Sequence, residues 1–307
     1  MPSARSTYDL ALRMALFEHV QRIADLNGGV VSSVQLAAGF QFGGDRIPIY
    51  NQQRGIFRPR QLRDLGAALT IQTSYRGPYD DSADADEGSF SYKYQGRDTL
   101  HSDNVAMRRA MELRLPILYL FALRTGLYRP LWPMYVEADS PSTLTFTLRA
   151  DAPTELTAPH SVSAIASLEI QRRYRTAAVK QRLHQDQFRV LVLGAYLEQC
   201  AMCRLKHTPL LDAAHIIADS DPRGIAMVTN GLALCKIHHA AYDVNILGID
   251  ANYRIHVQED VLAEHDGPML QHGLKEMDNV RIQLPLRVAY MPDRERLAER
   301  FESFQAA

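Results

Sequence analysis

Three cysteines and one histidine, set in two short pairs, constrain this chain more than any other feature. Cys200-Ala-Met-Cys203 is one pair and Cys235-Lys-Ile-His238 the other, with 31 residues (204–234) between them. Two chelating pairs brought together by the fold are how a tetrahedral structural zinc is built, because thiolate and neutral imidazole both suit Zn²⁺. The pairs consume all three cysteines of the chain, and three is a poor number for a disulfide framework. Buried, inert thiols would leave the matching spacing without a cause.

A second histidine, His239, follows directly in "LALCKIHHAAYD" (232–243). Neighbours on a helix point roughly 100° apart, so His238 and His239 cannot share one face. Upstream, "LLDAAHII" is an apolar, strand-like run containing His215, and Asn230-Gly231 in "TNGLALC" is a hairpin-turn signal. The order is therefore a strand with His215, a loop, a turn with Asn230, and a helix with His239.

These residues resemble the His-Asn-His (HNH) nuclease motif, a ββα-metal fold, in its version knitted by a zinc between two ligand pairs. The resemblance spans roughly 172–249 and includes the "AAHI" strand, the "NGLALC" turn and the H-x3-D ending at His239 and Asp243. It implies that His238 closes the structural zinc while His239 faces a catalytic Mg²⁺ or Mn²⁺ on the other side of the helix. Phosphodiester hydrolysis needs an activated water, a Lewis acid on the phosphate and stabilisation of the leaving oxygen. Histidine titrates near neutrality, so His215 suits the general base. Asn230 either ligates the ion or holds the loop that orients His215. Many such nucleases carry Asp or His immediately before the base, where this chain has Ala214. Either Asp212, on the same strand face as Ala214, or Asp243 from the helix supplies that ligand.

The rest of the chain reads as a second domain. Residues 7–26 have apolar positions at helical spacing and stop at Asn27-Gly28-Gly29. "AALTIQTSY", "SFSYKYQG" and "STLTFTLRA" then alternate like strands, interrupted by one helix, "SDNVAMRRAMELR", with Ser102 or Asp103 as its cap. The expected division is a mostly β domain at 1–150, a Pro/Ala/Thr-rich linker at 151–170 and a nuclease domain at 171–307 with a helical lead-in, α+β overall. That lead-in is basic, with Arg172, Arg173, Arg175, Lys180, Arg182 and Arg189. A charge run is usually a solvated face, but its position just before the cysteines suits phosphate tracking.

The β-rich half resembles the SET- and RING-associated (SRA) domain, a curved β-barrel of the PUA superfamily that reads modified cytosine. The resemblance spans roughly 45–140. Its motifs are Tyr79-Asp80-Asp81, then Tyr94-Gln95-Gly96-Arg97-Asp98, then Asn104 to Ala106, and Gly126-Leu127-Tyr128. An extruded base needs aromatic faces and an acceptor for its exocyclic amine. The resemblance implies Tyr79 and Tyr94 as the faces and Asp81 as the acceptor, with Asp80 or Asp84 as alternatives. Arg54, Arg58, Arg60 and Arg63 could contact flanking phosphates.

With 34 basic and 35 acidic residues the net charge is −1, so any positive field is local. No apolar run approaches a membrane span and the first residues lack a secretory core, which makes the cytoplasm the default. The expected function is cleavage of double-stranded DNA bearing 5-methyl- or 5-hydroxymethylcytosine. The alternatives are an HNH endonuclease on unmodified or structured DNA, and a non-catalytic DNA-binding reader. One HNH site cuts one strand, so a double-strand break implies a homodimer or two independent nicks.

Overall fold

The first helix forms where the sequence repeats apolar residues every fourth position. In the computed structural model, which describes residues 4–74, 89–150 and 182–307, α1 (Ala4–Leu26) buries Leu12, Leu16, Val20 and Ala24 along one stripe. It ends where Gly29, at positive φ, returns its N–H to the Ala24 carbonyl. Arg13, fully buried, pairs with Asp9 one turn earlier and donates to the carbonyls of Ala68 and Pro116, each at 2.8 Å. The helix is thus tied to the strands beneath it.

The chain divides into two compact units between Leu183 and His184. In the first, α1 is followed by β1 (Val31–Ser32), α2 (Ser33–Ala37), a small hairpin of β2 (Phe40–Phe42) and β3 (Asp45–Ile47), then β4 (Ile56–Phe57), β5 (Thr70–Gln72) and β6 (Phe90–Lys93). After α3 (Ser102–Glu112) come β7 (Ile117–Arg124), β8 (Leu127–Ser140) and β9 (Thr145–Ala150). Seven strands form one sheet in the order β4-β5-β7-β8-β9-β6, with β1 added on β8. All neighbours are antiparallel except β5 and β7.

The sheet is a half-barrel, and β7 shows why it curls. Its Leu118 and Leu120 pack into the α1 core, whereas Tyr119 meets Phe90 and Tyr92 of β6 edge-on at 6.0 Å. Tyr92 carries its hydroxyl from the β6 edge to within 2.8 Å of the Gly55 carbonyl and 3.0 Å of that of Gln72. The two edges approach, yet β6 and β4 do not pair, so the strand path stays open among the described residues. The expected curved β-barrel is a curled, open half-barrel among the described residues. The α3 cap also differs from expectation. His101 accepts from the Asp103 N–H through Nδ1, and Ser102 already lies inside the helix.

The second unit opens with α4 (residues 182–195), then β10 (Leu211–His215), β11 (Gly231–Cys235) and α5 (Lys236–Asp243). A hairpin of β12 (Leu247–Ile249) and β13 (Ile255–Val257) follows, with α6 (Glu259–Ala263), α7 (Pro268–Gly273) and the terminal α8 (Arg294–Gln305). Its core joins Phe188, Val192 and Tyr196 of α4 and its C-terminal end to Leu211, Ala214, Leu232 and Leu234 of the hairpin. Gly231 permits that approach, since a Cβ there would stand 2.4 Å from Val192 Cγ2. Asn230-Gly231 is not a two-residue turn. Residues 216–230 connect the strands, Asn230 ends a 3₁₀ turn and Gly231 begins β11. Among the described residues no helix is long and apolar enough to cross a membrane.

Candidate active site

The β10–β11 register places every candidate side chain of the second unit. Leu211 pairs with Cys235 and His215 with Gly231, so the base candidate ends one strand where the other starts. Cys235 is the N-cap of α5, which turns the chain back over the hairpin. On α5 the adjacent histidines part as helix geometry requires. His238 is 2% exposed and faces the cysteines, while the His239 side chain is 26% exposed and lines a cleft.

Cys200, Cys203, Cys235 and His238 converge, their ligand atoms all within 4.8 Å of one another. His238 Nδ1 lies 3.4 Å from Cys200 Sγ and 3.2 Å from Cys235 Sγ. Its Nε2 lies 2.7 Å from the Gly273 carbonyl. A carbonyl only accepts, so Nε2 carries a proton, and Nδ1 is the nitrogen turned toward the sulfurs. The thiols titrate together. Hydrogen bonds from Cys200 and Cys203 hold Cys235 far below the usual thiol value, while those with Cys200 and Cys235 push Cys203 up. Three sulfurs this close cannot all ionise without a cation between them, and the group can bind zinc.

The cleft, about 670 Å³, is lined by His215, Asp219, His239, Asp243, Asn245 and Arg300 among others. His215 stacks on Phe188 with ring centroids 4.0 Å apart and planes 14° from parallel, which sets its plane. Its Nε2 is buried and has no hydrogen-bond partner among the described residues. Burial lowers the His215 pKa, the charge of Asp219 opposes that shift, His239 adds to it and Asp243 opposes it. The ring is therefore neutral at neutral pH, the form a base requires.

Two carboxylates flank His239. Asp243 Oδ2 is 3.4 Å from Nε2, and Asp212 Oδ2 is 3.7 Å from Nδ1. They differ in their commitments. Asp212 pairs with Lys236 at 3.0 Å and lies near Arg189, whereas Asp243 lines the cleft beside His215. Of the two alternatives for the ligand missing at Ala214, Asp243 lines the cleft with His215 and Asp212 does not. Ala214 itself is fully buried in the core.

Asn230 does not fit as an ion ligand. It is fully buried, with Oδ1 accepting from the Ile217 N–H at 2.9 Å and Nδ2 donating to the carbonyls of Ile217 and Ile225 at 3.0 and 3.1 Å. Those bonds hold the loop that follows His215. Sequence reading missed Asp219, Phe188 and Arg300. An acid four residues after His215 was the one visible cue. Phe188 and Arg300 come from distant helices and carried none.

Of the base-binding candidates in the first unit, Tyr94 alone lies among the described residues. Tyr79 and Asp81 lie outside the described residues, as do Asp80 and Asp84, and so do Arg172, Arg173, Arg175 and Lys180. Tyr94 is packed, and this corrects the expectation of a free stacking face. Its ring stacks on Phe146 at 4.5 Å, Arg108 lies over it at 5.5 Å, and its hydroxyl bonds Asp139. Burial chiefly raises the Tyr94 pKa. Asn104, fully buried, locks the 95–98 turn through Gln95 and Asp98. Arg189 donates to the carbonyls of Thr208 and Leu211, a structural use rather than a phosphate contact. Arg58 likewise donates to Gly66, while Arg54, Arg60 and Arg63 remain exposed.

Comparison with known proteins follows this geometry. Residues 200–250 match the family model described as HNH endonuclease. No curated protein matches the chain. Among solved structures, one titled as the modification dependent TagI restriction endonuclease is 14% identical, with 82% of this chain and 86% of that one covered and a TM-score of 0.29. Another, titled as the type IV phosphorothioation-dependent restriction endonuclease ScoMcrA, is 13% identical. That match covers 75% of this chain and 51% of the other, with a TM-score of 0.24. Residues 200–250 are an HNH endonuclease domain, and the protein that carries them is a nuclease.

Proposed function

We propose that this protein is a modification-dependent DNA endonuclease, in which the N-terminal unit selects duplex DNA bearing 5-methyl- or 5-hydroxymethylcytosine and the C-terminal unit hydrolyses the backbone. The observation that carries the catalytic half is the split of the adjacent histidines, one against three cysteines and one in a cleft with His215. Cys200, Cys203, Cys235 and His238 would hold zinc as a structural staple. His239 and Asp243 would hold a divalent ion, Mg²⁺ or Mn²⁺. Such an ion, when bound, polarises the scissile phosphate and offsets charge on the leaving oxygen.

The side chains supply the rest of the mechanism. His215, kept neutral by burial and lining the cleft, takes the proton of the attacking water. Phe188 fixes the ring plane, so the lone pair points one way. Asn230 holds the 217–225 backbone that forms the cleft wall.

For the reader half, support comes from the order of the sequence motifs and from a curled, open sheet of mixed topology. Tyr79 and Asp81 fall between β5 and β6 in the sequence, and they remain the proposed stacking face and amine acceptor. Tyr94 packs on Phe146 instead. The test is cleavage of matched plasmids, one methylated at cytosine and one not, with an Asp81→Ala variant alongside. Preference for the methylated plasmid that Asp81→Ala abolishes is the expected result. Equal cleavage of both plasmids by the unaltered protein would refute the reader and leave an endonuclease acting on unmodified DNA.

A further inference from the structure

The catalytic cleft has an electrostatic imbalance that its HNH residues do not resolve. Its lining includes four carboxylates, Asp219, Asp221, Asp243 and Glu299, and one permanent cation, Arg300. A phosphodiester entering such a cleft carries its own negative charge and gathers more in the transition state. Arg300 lies on α8, fifty residues beyond the matched region at 200–250. We infer that Arg300 contacts the scissile phosphate and stabilises the charge that develops on it. The inference rests on assigning this cleft to phosphodiester hydrolysis.

Three observations carry it. First, Arg300 has no carboxylate partner among the described residues, although Glu299 is its neighbour. Glu299 is taken by Arg223, which binds it at 2.8 and 3.0 Å and also binds Asp221. Arg223 thereby occupies both Glu299 oxygens and offsets part of the charge of the two acids, and the Arg300 charge is left for an anion.

Second, the guanidinium is held but not used up. Nη2 donates to the Tyr242 carbonyl at 2.6 Å, Nη1 donates to Asn245 Oδ1, and Cζ rests 4.8 Å over the Tyr242 ring. Two of five N–H donors are committed, which leaves Nε–H and one proton on each terminal nitrogen. A planar fork pinned in this way needs little reorganisation when charge develops in front of it.

Third, α8 is fixed in register. Asp293 caps it through the Glu295 and Arg296 N–H groups, Leu297 is fully buried, and Phe304 packs where a Cβ on Gly248 would clash at 2.5 Å. Arg296 donates to the Arg223 carbonyl, which ties the helix to the loop after His215. The cation therefore has a defined place relative to the base.

A purely structural role is the competing explanation, because Arg300 also caps the last turn of α5. Single-turnover cleavage of a 5-methylcytosine duplex at saturating protein, with Mg²⁺ or Mn²⁺, separates the two when zinc content and urea midpoints are measured alongside. Arg300→Ala should lose about 10²- to 10³-fold in rate, as removal of one preorganised charge-stabilising donor does. Zinc content and stability should hold, and DNA affinity measured in a His215→Ala background should change little. Guanidinium ion at non-denaturing concentration should restore part of the rate to Arg300→Ala and none to His239→Ala. Arg300→Lys should fall between, keeping charge without the fork. Asn245→Ala, which keeps the cation but loosens the fork, should lose less rate than Arg300→Ala.

Retention of the parent rate in Arg300→Ala would overturn the inference. So would an Asn245→Ala loss as large as that of Arg300→Ala, or a rate loss matched by lost zinc and stability with no guanidinium rescue. Unaltered protein that cuts no duplex with either ion would instead refute the assignment of the cleft itself, and the inference with it.

Discussion

Replacing Asn230 by Asp separates its two conceivable roles, because a carboxylate is the better ion ligand and the worse loop anchor. Asn230 Nδ2 donates to the carbonyls of Ile217 and Ile225, and Asp cannot donate to either when ionised. Each buried carbonyl left without its donor costs about 1–3 kcal/mol, so two cost about 2–6 kcal/mol before the buried charge is counted. That is a large part of a typical domain stability of about 5–15 kcal/mol. Asn230→Ala should cost a comparable amount, since it also removes the acceptor for the Ile217 N–H. Urea unfolding gives the stability change, Mn²⁺ titration followed by electron paramagnetic resonance gives ion affinity, and plasmid nicking gives activity. Both variants should be destabilised and slow. An Asp variant that keeps its stability within about 1 kcal/mol and binds Mn²⁺ more tightly than the parent would show that Asn230 is a ligand after all.

Other outcomes follow from the same geometry. Purified protein should carry about one tightly held zinc per chain, and Cys203→Ser should lower zinc content and unfolding midpoint together, because metal binding at such a site is folding free energy. Metal analysis and a thermal melt check this, and a zinc-free protein with unchanged stability would contradict it. His239→Ala should abolish cleavage with zinc intact, whereas His238→Ala should lose zinc and stability; metal analysis of both variants detects a reversed assignment. Burial holds the His215 pKa below its ordinary value near 6.5. Its basic form therefore persists to lower pH, and kcat/KM should fall only as pH drops below about 6.5. A base limb centred well above neutrality would exclude His215 as the base.

Short-range chemistry in the sequence carried most of the nuclease site. C-x2-C and C-x2-H name their own ligands, and the helical step between His238 and His239 forces those rings apart before any fold is known. α1 and the strands of the first unit were equally visible, since their apolar spacing records one packed face. What tertiary structure decided lies where two distant segments compete for one atom. Asn230 could ligate or anchor until the Ile217 and Ile225 backbone took up its amide. Asp212 and Asp243 were equivalent until Lys236 claimed the first. Tyr94 looked like a stacking face because an alternating strand does not say which side its neighbour covers, and Phe146 covers that ring. Arg300 was one more basic residue on a terminal helix until Arg223 paired with Glu299 and left its charge facing the cleft. Local spacing fixes which groups can act together on one element, but the partner of a long or two-sided side chain is set by whichever remote backbone or ring packs against it.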